Sequence, residues 1–378
     1  MTNIWQKIKK NAVASSRPIF VMAPMADVTD PAFRQIIAKY SRMGQGDTKE
    51  KKGSVLDALW TEFVSADGLA STAGRPILMR DLAYVEAERP IIAQIFTSRP
   101  ENMRIAAGIA SDMGFDGIDI NMGCPDKSIE KQGAGAAMIK NIKTAREVIR
   151  SAKEGSVITD TSHKYYEKCK NGLPISVKTR IGYNQPDMGE DGWIANLLKE
   201  DIAVLTVHAR TRKEMSLVPA QWSFVKQAVE LRNKIQAEKE VGSRTLIIGN
   251  GDVTSINMGR KLCLETGADG VMVGRGIFGN PWFFDEDVEL KTTELNAQAT
   301  EKNLPKVFSV PIDEKLRVMV EHTKLYEKLL GDTKSFAIMK KHYKAYVNGW
   351  DGAKELRIKL METENAGQVE EIVMGYLG

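Results

Sequence analysis

Residues 117–125 read GIDINMGCP. Gly117, Ile118, Ile120 and Met122 make a short apolar run, and Gly123 and Pro125 end it around a single cysteine, Cys124. An apolar run of this length closed by glycine and proline has the signature of a buried strand. The same grammar recurs in IFVMAP (19–24), ALWTEF (58–63), IIAQIF (91–96), ISVKTR (175–180), AVLTVHAR (203–210), LIIGNG (246–251) and GVMVGR (270–275). Near-continuous apolarity suits strands of a parallel sheet that is covered on both faces. Helix-compatible segments separate the runs, for example PENMRIAAGIASDMG (100–114) and KTAREVIRSAKEG (143–155). Eight strands alternating with helices predict an α/β TIM (β/α)8 barrel, and the strand count favours it over a doubly wound open sheet.

Polar residues gather where the runs end. Pro24 and Met25 close the first, Glu62 the second, and Gln94 lies in the third. Asn121 and Cys124 follow the fourth, and Lys178 with Arg180 ends the fifth. His208 and Arg210 end the sixth, Asn250, Gly251 and Asp252 the seventh, and Gly274 with Arg275 the eighth. Active sites of such barrels are built on the C-terminal rim of the strands, so a full ring of such residues predicts a ligand site there. The glycine-rich ends GNGDV and VGRG, one of them carrying Arg275, suit a phosphate, although tight turns use the same glycines. Lys178 in an apolar strand needs an anionic partner. A reduced flavin would supply one, and an ion pair with Glu62 or Asp119 is the structural alternative. Gln94 can donate and accept at a flavin edge, and His208 can donate to a flavin or phosphate oxygen or serve as a satisfied core histidine.

The rest of the composition narrows the class. A chain of 378 residues with 43% hydrophobic and 27% charged residues is ordinary for a soluble globular protein. No apolar run approaches bilayer-spanning length, and the start MTNIWQKIKKNAVASS lacks a secretory apolar core. Cysteines at 124, 169 and 263 have no paired spacing, so neither disulfides nor metal is expected, and a reducing cytoplasmic setting is the simplest reading. The net charge of +4 says little alone, but Lys334, Lys340, Lys341, Lys344, Lys354, Arg357 and Lys359 face only Asp351 and Glu355 over that stretch. Such a local excess fits either a phosphate-binding surface or a solvated helix face. After about residue 285 the strand rhythm stops, LPKVFSVP intervenes, and helical patterning runs through 313–330, 334–350 and 353–363. We expect a barrel domain over 1–285 and a small all-helical domain over 286–378, with His322 and His342 in surface or packing roles. Polar stretches 41–54, 157–172, 182–192 and 236–245 read as loop insertions, which places His163 and Cys169 in an exposed loop.

The motifs APMADVTDPAFR (23–34), AQIF (93–96), DINMGCP (119–125), GAGAAM (133–138), VKTR (177–180), HARTR (208–212), IIGNGDV (247–253) and GADGVMVGRGIFGNPWFF (267–284) resemble the tRNA-dihydrouridine synthases over nearly the whole chain. The resemblance implies an oxidoreductase whose barrel binds FMN, with NADPH (or NADH) as reductant and tRNA as substrate. It also implies a helical C-terminal domain that helps to bind tRNA, and we expect a monomer with no membrane or metal partner. By matched position, Pro24, Met25 and Ala26 look like the first flavin loop, and Gln94 with Lys178 like the ring-binding pair. His208, Asn250, Gly251, Asp252, Gly274 and Arg275 look like the other flavin and phosphate contacts. Asn121, Arg180 and Arg210 resemble positions beside the substrate uridine, and Cys124 matches the catalytic acid. Asp27 and Ala209 stand where that family commonly has glycine.

This chemistry gives Cys124 a purpose. Hydride delivered to C6 of uracil leaves enolate-like charge over C5 and O4, and an acid must then protonate C5. A thiol, mostly protonated at neutral pH, suits that role, and a positive Arg180 or Arg210 would stabilise the carbonyl charge. Two alternatives remain: a flavin barrel acting on a free pyrimidine, like a dihydroorotate or dihydropyrimidine dehydrogenase, and an RNA-binding protein without chemistry.

Overall fold

A computed structural model describes residues 3–42, 53–301 and 309–378. Each apolar run becomes a strand: β1 (Ile19–Met22), β2 (Leu56–Ser65), β3 (Ile91–Phe96), β4 (Gly117–Met122), β5 (Ile175–Arg180), β6 (Val204–His208), β7 (Leu246–Asn250) and β8 (Gly270–Val273). All are parallel, neighbours in sequence pair with each other, and β1 pairs with β8 from Ile19↔Gly270 to Met22↔Val273. That last pairing closes a barrel and excludes the open sheet. Helices Pro100–Asp112, Ile142–Gly155, Ser223–Ile235 and Ile256–Thr266 cross between strands.

Side-chain alternation sorts each strand into two faces. Outward residues such as Ile95, Ile118, Ile120, Val177, Leu205, Ile247 and Val271 pack with Met103, Ala106, Val148 and Ile149 of the surrounding helices. Inward residues divide by height. Ile19, Val21, Trp60, Ile92, Val204, Leu246 and Ile248 form an apolar floor, which the helix Ile4–Ala14 plugs with Trp5, Ile8 and Ala12. Above them come Gln94, Asp119, Asn121, Ser176, Lys178, Arg180, Thr206, His208 and Asn250 on the same inward register. The polar half of the interior lies at the C-terminal rim.

Helices Glu286–Glu301, Ile312–Leu330, Met339–Tyr346, Ala353–Met361 and Ala366–Leu377 follow the barrel. The first and last of these were not singled out from the sequence pattern. Leu316, Met319, Tyr326, Tyr343, Leu360, Val369 and Val373 form their shared core, which continues into Ala32, Ile36 and Tyr40 beside β1 and into Trp282. His322 and His342 are both buried in it, their rings 4.7 Å apart and each within 5.5 Å of the Phe33 ring. Their role is packing. Burial pulls His342 down to about 4 and His322 well below the usual histidine range, so both rings are neutral. Among the described residues no helix is long and apolar enough to cross a membrane.

The expected loop over 157–172 needs correction. Cys169 is fully buried at the end of a short helix, Tyr166–Cys169, and Ile158 is buried with it. The physical cause is aromatic. Tyr165 lies over Gly114, where φ is +76° and a Cβ would sit 2.2 Å from the ring, so the segment folds down onto the barrel wall. His163 stays near the surface, its Nε2 3.5 Å from Asp112. Most of the 41–54 stretch and residues 304–308 of LPKVFSVP lie outside the described residues.

Two members of the basic run are spent on the barrel itself. Lys334 Nζ sits 2.8 Å from Glu62 and 2.9 Å from Asp81, with all three side chains less than a fifth exposed. Although burial opposes it, the two carboxylates hold the ammonium well above the ordinary lysine range. Lys341 pairs with Asp27 at 3.0 Å in a much more open setting. Removing one partner of a buried pair strands the other charge, whereas a surface pair contributes little. Lys334→Met is therefore expected to cost about 3–5 kcal/mol, and Lys341→Met no more than about 1 kcal/mol. Thermal and urea unfolding of the two variants checks the contrast.

Candidate active site

A cavity of about 720 Å³ opens at the C-terminal rim, in the size range of cofactor pockets. Pro24, Met25, Gln94, Asn121, Cys124, Lys178, Arg180, His208, Arg210, Asn250, Gly251, Asp252, Gly274 and Arg275 all line it. Ala26 does not: it is exposed just outside the lining. Glu62 also stays out, because its carboxylate accepts the Asp27 N–H at 2.6 Å and the Lys334 ammonium at 2.8 Å. Phe63, Ser216, Val253, Thr254 and Gly276 join the lining without having been picked from the sequence. Phe63, at the end of the second run, carried a usable signal. Ser216 carried none, since it arrives from the loop after β6.

That first loop shows why Asp27 can replace a glycine. Its φ of +52° is the left-handed conformation glycine adopts freely and Asp tolerates better than most residues. Ala209 needs no such geometry; its N–H donates to Asn250 O at 2.9 Å within the rim.

Cys124 sits on a turn held from several sides. Asn121 Oδ1 accepts the backbone N–H groups of Gly123 at 3.1 Å and Cys124 at 2.9 Å. Arg180 Nε donates to Gly123 O at 2.8 Å, and Ala136 N–H donates to Cys124 O at 2.9 Å. Gly135 presses against the same carbonyl with φ of +59°, where a Cβ would come within 2.7 Å of Cys124 O. The glycine-alanine stretch after the cysteine is thus the turn's support. Burial pushes the Cys124 thiol up, with Lys178 and Arg180 pulling more weakly the other way, so the sulfur carries its proton at neutral pH.

Positive charge dominates the wall. Lys178 ends β5, partly buried, and forms no ion pair with Glu62 or Asp119 among the described residues. Loss of water and the charge of Arg180 bring it down to about 8, against the pull of Asp119. Arg180 NH1 donates to Thr211 O at 3.1 Å and Met215 O at 3.0 Å, which ties the loop after β6 to the thiol turn. Burial, with the cations Lys178, Arg180, Arg210 and Arg275, pulls His208 well below the usual range. Arg210 NH1 lies 3.2 Å from His208 Nε2. A guanidinium only donates, so Nε2 accepts and the neutral ring keeps its proton on Nδ1.

Asp252 organises the corner after β7 and β8. Its carboxylate receives Arg210 at 2.5 Å, Arg275 at 2.8 Å and the Ala220 N–H at 2.9 Å. Burial works against ionisation, but these partners hold the carboxyl below its ordinary range. Asp252 thus holds two arginines at the cavity wall. Arg275 remains 64% exposed, leaving most of its guanidinium for an anion, and Gly251 at φ +129° brings backbone close to the same corner.

A family model described as dihydrouridine synthase matches residues 21–374. A probable tRNA-dihydrouridine synthase of Staphylococcus epidermidis is 34% identical over 359 residues, covering 94% of this chain and 93% of that protein. A probable tRNA-dihydrouridine synthase 2 of Bacillus subtilis is 32% identical over 371 residues, covering 98% and 95%. The chain belongs to the dihydrouridine synthase family, whose members are flavin-dependent oxidoreductases.

Proposed function

We propose that this member of the dihydrouridine synthase family reduces uridines in tRNA to 5,6-dihydrouridine, with FMN in the rim cavity and NADPH as reductant. The observation that supports it most is one cavity lined by both a protonated thiol and a lysine ammonium that has no carboxylate partner among the described residues. The residues present fit a flavin. Lys178 needs an anion beside it, and Gln94 keeps one N–H free after donating the other to Asp119. Arg275 and the backbone at Gly251 and Gly274 suit the phosphate end. Bound there, FMN would supply hydride to C6 of the uracil.

The chain's own part is protonation and charge control. Cys124 Sγ donates its proton to C5, acting as a general acid and not as a nucleophile. Arg180 and Arg210 keep positive charge at the cavity while negative charge grows on the pyrimidine carbonyl. Among the described residues Arg180 does so without a carboxylate partner, whereas Arg210 shares its charge with Asp252. Residues 1–285 form the FMN-binding unit in this reading and 286–378 the tRNA-binding unit. Exposed Lys344, Lys354 and Lys359 remain available for phosphates after Lys334 and Lys341 are paired to the barrel. A base in RNA must leave its stack to reach the cavity, and phosphate contacts on the helical unit would offset that cost, whereas a free pyrimidine would leave those lysines without a purpose.

Two outcomes check the proposal. Cys124→Ala should keep flavin content and tRNA affinity while turnover falls about 100-fold or more; unchanged turnover removes the acid role, and equal activity on free uridine removes tRNA as substrate. Binding of reduced FMN by the chain, measured by anaerobic calorimetric titration, should weaken as pH rises through 8, because Lys178 loses its proton there. A roughly tenfold loss between pH 7 and pH 9 is expected, and Lys178→Met should flatten the profile.

A further inference from the structure

Beneath the thiol turn runs a ladder of hydrogen bonds with a definite direction. The register of β3, β4 and β5 sets Gln94, Asp119 and Ser176 side by side, all fully buried. Asp119 Oδ1 accepts Ser176 Oγ at 2.6 Å, and Oδ2 accepts Gln94 Nε2 at 2.6 Å. Gln94 therefore presents Oε1 upward, where it accepts Asn121 Nδ2 at 3.1 Å. Asn121 in turn presents Oδ1 to the backbone N–H groups of Gly123 and Cys124.

Each amide could sit either way round in isolation, since its two ends have the same shape. An ionised carboxylate has no proton to give, so it admits only the NH2 end of Gln94. That choice propagates. Reversing Gln94 would set its oxygen against the Asp119 carboxylate, and reversing Asn121 would set its NH2 against the N–H of Cys124. Buried polar groups facing their own kind are costly to keep.

We propose that Asp119 is a positioning residue: as the acceptor-only foot of the ladder, it fixes the orientation of Gln94 and Asn121 and thereby the placement of the Cys124 proton donor. The inference rests on the acid role of Cys124 proposed above. Burial pushes Asp119 up to about 6, which leaves it mainly ionised at neutral pH and able to serve as that foot. Asp119 is not part of the cavity lining; it acts through two amides.

The polarity can be inverted without changing shape. Asn121→Asp places an oxygen where the ladder needs a donor, so Gln94 is caught between two carboxylates. Adding Asp119→Asn lets the whole ladder run backwards: the amide at 119 donates to Gln94 Oε1, and Gln94 donates to the carboxylate at 121. That carboxylate still accepts both backbone N–H groups. The full-length chain is compared as parent, Asn121→Asp and Asp119→Asn/Asn121→Asp. Three readouts are taken: melting temperature, the pH-independent rate of Cys124 alkylation by iodoacetamide, followed by peptide mass spectrometry, and kcat and KM on tRNA.

We expect Asn121→Asp to melt at least 5 °C lower, to alter the alkylation rate at least threefold, and to lose at least tenfold in kcat. The double variant should regain at least half of the melting shift, bring alkylation back within twofold of the parent, and recover at least fivefold in kcat with KM little changed. A double variant no better than Asn121→Asp in melting and alkylation overturns the ladder role. Melting and alkylation read the ladder without turnover. Full activity of Cys124→Ala would therefore sink the acid reading separately, while leaving the ladder's result legible.

Discussion

Closing β1 onto β8 gives every strand one face turned inward, where a polar side chain has few partners besides other inward groups and the rim cavity. The lower half avoids the problem with Ile19, Val21, Trp60, Ile92, Val204, Leu246 and Ile248, sealed by Trp5. The upper half meets it with amides, a carboxylate and cations. Its hydrogen bonds run sideways from strand to strand, from Ser176 through Asp119, Gln94 and Asn121 to the turn of Cys124. The turn of Cys124 thus rests on the register of β3, β4 and β5.

The electrostatic balance of that upper half is deliberately uneven. Asp252 holds Arg210 and Arg275, but Lys178 and Arg180 reach no carboxylate among the described residues. Both are driven toward their neutral forms by loss of water, Lys178 to about 8 and Arg180 to about 10. A site in that condition gains by taking in negative charge, whether a ligand's own or one that develops during a reaction. The same field and burial hold His208 neutral, and burial keeps the thiol protonated against the pull of those cations. Acid, donor and cation therefore coexist at neutral pH within one wall.

One buried carboxylate ties the helical region to this machinery, alongside more exposed pairs such as Lys341 with Asp27 and Lys39 with Glu321. Glu62 accepts the backbone N–H of Asp27, on the loop that follows Met25, and the ammonium of Lys334 from beyond the barrel. The contact is buried and nearly dry, which makes it stronger than a surface pair and intolerant of losing either partner. Phe33, His322 and His342 pack against one another without charge.

The eight apolar runs were legible in the sequence within a few residues, because alternation and continuous apolarity are local properties that a strand cannot disguise. So were the ring residues, since each ends its own run; the family motifs then supplied their expected roles. What the sequence could not show was which of those residues spend their polarity on one another. Asp252 binds arginines, Asn121 binds backbone, and Glu62 turns away from the cavity to meet Lys334, some 270 positions along the chain. Cys169 looked like a loop residue because its apolar neighbours are scattered among polar ones, and only the folded segment reveals that Ile158 and Cys169 point the same way. Sequence periodicity determines which face a side chain occupies, as a consequence of backbone geometry alone. Partnership is decided by strand register and barrel closure, which bring together groups that no local pattern connects.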